Sequence, residues 1–231
     1  SGGYNVLIGR ETGQYLGASG SNVHVGDNAG RFNTGANNTF VGASAGKRGT
    51  SGSTTNNTFV GNSAGLNNTG GNNTIVGHQA LAYGTGCADN VVMGYLAAQD
   101  ITGDDVVAIG SEAAKELTSG DQNVIIGSGA LDTGVQTGND NVAIGYQACR
   151  NTTSMSNSVF IGSGALKTGV ATGADNVGIG FGSAANITSG ERNIAIGSNS
   201  MDAATTDSDN IAIGYDALGG AVSGGEKNIA I

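Results

Sequence analysis

Proline is absent from this 231-residue chain, as is tryptophan, and only 12% of the residues are charged. Proline removes a backbone donor and interrupts stacked strands, so its absence is compatible with long, unbroken hydrogen-bonded ladders. With 43 glycines and no proline the composition excludes a collagen-like helix, and the low charge excludes a disordered, charge-rich chain. Basic residues are scarce: 9 Lys and Arg against 18 Asp and Glu give a formal charge of -9, without a basic cluster. Nucleic acids and anionic membrane surfaces need clustered cations, so neither is expected as a partner. No apolar run approaches the roughly 20 residues of a membrane span, so this segment is not expected to insert into a bilayer.

What the chain has instead is one phrase: Asn, a β-branched residue, a variable residue, Val or Ile, then Gly, returning every 16 to 19 residues. The anchoring glycines are Gly9, Gly26, Gly42, Gly61, Gly77, Gly94, Gly110, Gly127, Gly145, Gly162, Gly180, Gly197 and Gly214, and Asn228-Ile229-Ala230-Ile231 is a further copy. A period this regular denotes a solenoid, in which each repeat is one rung and only stacking buries a core. No linker interrupts it, so residues 1–231 are expected to form a single continuous all-β, parallel β-solenoid domain of about 14 rungs. The chain also reads as a segment of a longer fibrous protein. At about 4.8 Å per rung it would extend roughly 65 to 70 Å.

Within each phrase the residue just before the glycine is Ile, Val or Met, and the residue three before it is Val, Ile or Thr. That alternation describes a short strand with two β-branched side chains on one face and the middle residue on the other. The reading assigns the β-branched pair to the core. The middle residues Phe40, Phe59, Ile75, Val92, Ile125 and Phe160 then form an outer apolar stripe, and are candidate contacts between identical chains. Burying one such Phe would contribute about 2 kcal/mol. The alternative is that these side chains lie under loops of their own chain.

Ala dominates three residues after the glycine, where only a small side chain fits, and the next residue changes from Gly early in the chain (Gly13, Gly30, Gly46, Gly65) to larger residues later (Leu81, Leu131, Met201). The anchor Asn fails only at Val106 and Ser158. Asn5, Asn22, Asn38, Asn57, Asn73, Asn90, Asn123, Asn141, Asn176, Asn193, Asn210 and Asn228 fall in one column, where each amide can donate to one neighbouring rung and accept from the other. They are expected to form a structural ladder. Sequons such as Asn37-Asn38-Thr39 read as by-products of the repeat. Cys87 and Cys149, four rungs apart or roughly 19 Å, are too distant for a disulfide, although a surface-facing Cys87 would allow an interchain bond.

Phrases such as Asn193-Ile194-Ala195-Ile196-Gly197 and Asn141-Val142-Ala143-Ile144-Gly145-Tyr146-Gln147-Ala148 resemble the head repeats of trimeric autotransporter adhesins and, equally, the repeat arrays of bacteriophage tail fibres. The adhesin resemblance implies a left-handed β-roll with two short strands and two turns per rung, three chains packing about a threefold axis. Rungs near seventeen residues are longer than is typical of that family, and the long polar loops are closer to the tail-fibre arrays. The resemblance therefore implies a homotrimeric tail-fibre shaft and host-attachment segment, extracellular and part of a virion. The head or stalk of a bacterial surface adhesin is the alternative, and a polysaccharide-depolymerising tailspike a third.

Catalysis finds little support in the residues, and neither a catalytic centre nor a cofactor or metal site is expected. His24 and His78 occupy different repeat positions, which does not suit a two-histidine metal site. The acidic groups Asp100, Asp104 and Asp105, near Glu112 and Glu116, and Asp202, Asp207 and Asp209, lie in loops of a regular solenoid, which seldom make the cleft a glycosidase needs. The nonapeptide of calcium-binding β-rolls is missing. Ice binding would need an uninterrupted Thr column, but Thr stands at this position only at Thr39, Thr58 and Thr74, which should point inward. Binding to a host glycan or protein receptor remains, with Tyr95, Tyr146, Phe181 and Tyr215, each just after an anchoring glycine, as residues able to touch glycans.

Overall fold

The computed structural model describes residues 3–47, 54–133, 136–168, 170–204, 206–220 and 225–231. Two compact units divide the chain, Ser1–Lys115 and Glu116–Ile231. The first holds β1 (Val6–Ile8), β2 (Val23–Val25), β3 (Thr39–Val41), β4 (Thr58–Val60), β5 (Thr74–Val76), β6 (Val91–Met93) and β7 (Val107–Ile109). The second holds β8 (Val124–Ile126), β9 (Val142–Ile144), β10 (Val159–Ile161), β11 (Val177–Ile179), β12 (Ile194–Ile196), β13 (Ile211–Ile213) and β14 (Ile229–Ala230). In each unit the strands run parallel in chain order. Register aligns equivalent residues, Phe40 opposite Phe59 and Val41 opposite Val60 in one unit, Val159 opposite Val177 in the other. The described residues contain no helix, and the architecture is a parallel β-solenoid.

Each rung carries one strand rather than the two that the adhesin resemblance implies. The other side of the rung is a turn whose backbone also bonds along the stack. Ser63 N–H donates to the Ala43 carbonyl of the previous rung at 2.9 Å, and Gly65 N–H to the Ala80 carbonyl of the next at 2.9 Å. This works because Ser63 and Gly65 both adopt left-handed backbone, at φ 56° and 57°, on either side of Ala64. Left-handed backbone costs about 1–2 kcal/mol for a residue with a Cβ, and the inter-rung hydrogen bonds offset that cost. The anchoring glycine has a separate reason. Gly42 sits at φ 138°, and a Cβ there would overlap the Gly61 carbonyl of the next rung.

Sequence alternation placed the β-branched pair and the middle residue on opposite faces, but the inside and outside are exchanged. Phe40, Phe59, Ile75, Val92, Ile125 and Phe160 are all buried within their own chain, so none of them is a contact between chains. The flanking residues face outward: Val23, Val91 and Ile179 are 37%, 40% and 37% exposed, and Thr39, Thr58 and Thr74 stand in the same outward column. The reason is volume on the far side of the rung. The Ala three residues after the glycine and the residue that follows it close over the middle position. For His24, Phe40 and Phe59 that following residue is glycine, and a Cβ at Gly46 or Gly65 would run into Phe40 or Phe59. Where the middle residue is small, as at Ala143 and Ala195, Cys149 and Met201 fill the space. Phe160 likewise occupies the room left by Gly178 on the next rung.

This orientation predicts that Phe59→Ala destabilises the chain by about 3–5 kcal/mol in urea unfolding, whereas Val60→Ala, half out of the core, costs under about 1 kcal/mol. The opposite ranking would mean that the β-branched pair is the buried one.

Candidate functional site

The Asn column is the most extensive polar feature of both units. In the first, the Asn5 side-chain oxygen accepts from Asn22 N–H at 2.9 Å, Asn22 from Asn38 at 2.9 Å, Asn38 from Asn57 at 3.0 Å, Asn57 from Asn73 at 2.8 Å and Asn73 from Asn90 at 3.0 Å. Asn141 donates to Asn123, Asn193 to Asn176, Asn210 to Asn193 and Asn228 to Asn210 in the same way in the second. The amide oxygen thus serves mainly as a cap for the next rung's backbone, a use the sequence did not suggest. The amide nitrogen also reaches a loop carbonyl, as Asn57 reaches Gly70 O at 3.1 Å. At Ser158 the hydroxyl replaces the amide oxygen, accepting from Asn176 N–H at 3.1 Å. Val106 N–H still donates to Asn90 at 2.8 Å, but its own side chain offers no acceptor. A second, exposed ladder runs beside this one through Asn37, Asn56, Asn72 and Asp89, all in left-handed backbone, which explains the Asn-Asn doublets.

Neither histidine is placed for metal binding, and among the described residues no group of three His, Cys, Asp or Glu could hold an ion. His24 lies in the core, where its ring stacks on Phe40 at 4.7 Å and Phe40 stacks on Phe59 at 4.7 Å. Neither ring nitrogen has a hydrogen-bond partner, and burial drives the imidazole pKa down to about 4. His78 is exposed. Both cysteines are free and buried, which removes the surface-facing Cys87 that an interchain bond would need. Burial pushes the Cys87 thiol up to about 12 and Cys149 further in the same direction, leaving both unreactive.

The acidic residues are spent on the scaffold. Asp104 accepts from Ala88 N–H at 2.8 Å, Glu112 pairs with Lys115 at 3.8 Å, and Asp209 pairs with Arg192 at 2.6 Å, which holds the Asp209 carboxyl below its ordinary range. Arg10 and Asp27 make the same kind of exposed, rung-to-rung pair at 2.8 Å. Asp202 lends its backbone carbonyl to Asn186, and Asp207 is buried. Asp100 and Glu116 lie at the surface.

The turn aromatics leave room for a ligand. Rings in one column on adjacent rungs stack: Tyr15 on Phe32 at 5.0 Å, and His78 on Tyr95 at 5.6 Å. In the second unit Tyr146 and Phe181 hold the repeat position that His78 and Tyr95 hold in the first, but stand two rungs apart, with Ser163 on the rung between them. Both rings are exposed, at 56% and 63%, and they line a mainly apolar cavity of about 280 Å3 together with Gln147, Ser163 and Lys167. Tyr215 lies two further rungs along, beyond Ser198.

No protein-family model and no curated protein matches this chain. Its chemistry must therefore be read from the geometry alone.

Two measurements probe these assignments. An unfolded histidine titrates near 6.5 and folded His24 near 4, so between those values the unfolded chain binds more protons and stability falls as pH drops. The shift corresponds to about 3 kcal/mol, fully present above pH 6.5. Thermal unfolding should therefore weaken from pH 7 to pH 4.5 in the wild type and markedly less in His24→Phe, whose ring continues the Phe40 and Phe59 stack. Equal slopes would contradict a buried, neutral His24. In the ladder, Asn57→Ala leaves Asn73 N–H and Gly70 O without their partners, an expected loss of about 2–4 kcal/mol in denaturant unfolding; a loss below 1 kcal/mol would make the ladder incidental.

Proposed function

We propose that this chain is a non-catalytic shaft and host-attachment segment of a bacteriophage tail fibre, assembled as a homotrimer and displayed outside the cell on the virion. The observation that carries the reading is the outward sheet face. In the second unit one column runs from Val124 to Ile211 and its neighbour from Ile126 to Ile213, every member Val or Ile, and several are more than a third exposed. A continuous apolar face of this kind marks a surface that a partner covers. A second and a third copy of the chain, in parallel and in register, present the same columns to one another, which makes identical chains the natural cover for it. The sequence resemblance to tail-fibre arrays supplies the biological setting.

Light scattering on the purified chain should give a mass near three times 22.6 kDa. Ile179→Lys combined with Ile196→Lys, both on the outward face, should yield single chains that keep the wild-type circular dichroism. A wild-type chain that is monomeric at micromolar concentration would remove the main support for the fibre reading.

A further inference from the structure

We propose that the slot between Tyr146 and Phe181 binds one pyranose ring of a glycan, sandwiched between the two aromatic faces. The argument begins with the register of the turns. Gly164 N–H donates to the Tyr146 carbonyl at 2.9 Å and Gly182 N–H to the Ser163 carbonyl at 3.1 Å, so the turns that carry Tyr146, Ser163 and Phe181 climb with the same rung step as the strands. Two steps separate the aromatic residues by roughly 9.6 Å. A ring inserted midway lies roughly 4.8 Å from each, within the range at which aromatic rings pack against a flat partner. Rings at the equivalent repeat position of the first unit show this spacing in use, since His78 and Tyr95 on adjacent rungs stack at 5.6 Å. In the second unit a serine stands where the middle ring would be.

Glycine opens the slot further. The second residue after the anchoring glycine carries a side chain in most rungs, as at Asn28, Gln79, Gln147 and Asn199, but it is Gly164 and Gly182 on two of the three rungs that line this cavity. The backbone there is left-handed whichever residue occupies it, φ 66° at Gly164 and 55° at Asn199, so glycine is not required by conformation. Its effect is to leave space.

The lining identifies the ligand class. A pyranose has an apolar face of C–H bonds and a rim of hydroxyls. The cavity offers two aromatic surfaces together with the side chains of Lys167, Gln147 and Ser163. Thr168 is already committed, donating to the Ala185 carbonyl at 2.8 Å. A wholly aromatic ligand would leave the three polar groups unmatched, and the formal charge of -9 opposes a nucleic acid strand. The volume of about 280 Å3 suits one sugar with part of a second.

This inference names a ligand for the attachment role proposed above and rests on that reading only for the origin of the glycan. The test uses the whole chain on an array of hexose, N-acetylhexosamine and hexuronic acid oligosaccharides, with indole and adenosine as flat controls, followed by calorimetry on whichever compound is retained. At least one pyranoside should bind, and Phe181→Ala should weaken it at least tenfold. Ser163→Tyr, which places the chain's own ring in the vacancy, and Gly164→Asn, which follows Asn199 in shape, should abolish binding while leaving the unfolding midpoint unchanged or raised. Tyr95→Ala should bind as the wild type does. Retention of indole or adenosine but no sugar, no retention at all, or binding indifferent to Ser163→Tyr would overturn the assignment. A monomeric chain that still binds sugar through the slot would sink the fibre reading alone, and a trimer that binds none would sink only the slot.

Discussion

The backbone of every rung is satisfied by the rungs on either side of it, and that requirement governs the rest of the molecule. An N–H or carbonyl that points along the stack can be paired only if the same position one rung away has the same conformation. Left-handed residues therefore recur at fixed places in each turn, from Ser63 and Gly65 in the first unit to Gln147 and Cys149 in the second. Anchoring glycines recur because, as at Gly42 and Gly127, one stands against the carbonyl of the next. The buried Asn column extends the same logic to side chains, each amide oxygen capping the backbone N–H of the following rung. Proline would break such a stack at any of these positions.

Uniform backbone turns side chains into columns, and the columns then differ only in what fills them. Rings on successive rungs stack, as His24, Phe40 and Phe59 do inside and Tyr15 and Phe32 do outside. Opposite charges on successive rungs pair, as Arg10 does with Asp27 and Arg192 with Asp209, although at the surface such pairs add little to stability. The core tolerates this variety because volume is balanced within a rung or between neighbours: Phe40 and Phe59 are met by glycines in the turn, Ala143 and Ala195 by Cys149 and Met201, and Phe160 by Gly178 on the next rung. Function, on this view, is written as local departures from a column. The vacancy at Ser163 between Tyr146 and Phe181 is one such departure, and the unbroken apolar outward face of β8 to β13 is the background from which assembly would follow.

Much of this was legible in the residues. The period, the parallel stack, the position of each strand and the Asn column all follow from fourteen copies of one phrase, because a repeat that cannot bury a core alone must stack on its neighbours. Other features were not. The form of the second side of the rung depends on left-handed residues such as Leu81 and Ala98, whose side chains give no hint of that backbone. The cavity depends on which turn residues are two rungs apart in space, and unequal loop lengths hide that distance along the chain.

The sequence by itself determined that Val, Ile and Thr share one face of each strand and that the middle residue takes the other. Only the tertiary structure decided which of these faces is the inside. Alternation is symmetric with respect to inside and outside when both faces are apolar, and hydrophobicity cannot break the tie. It is broken by the far wall of the rung, where alanine and glycine leave room for Phe59 but the strand's β-branched pair finds no wall to pack against.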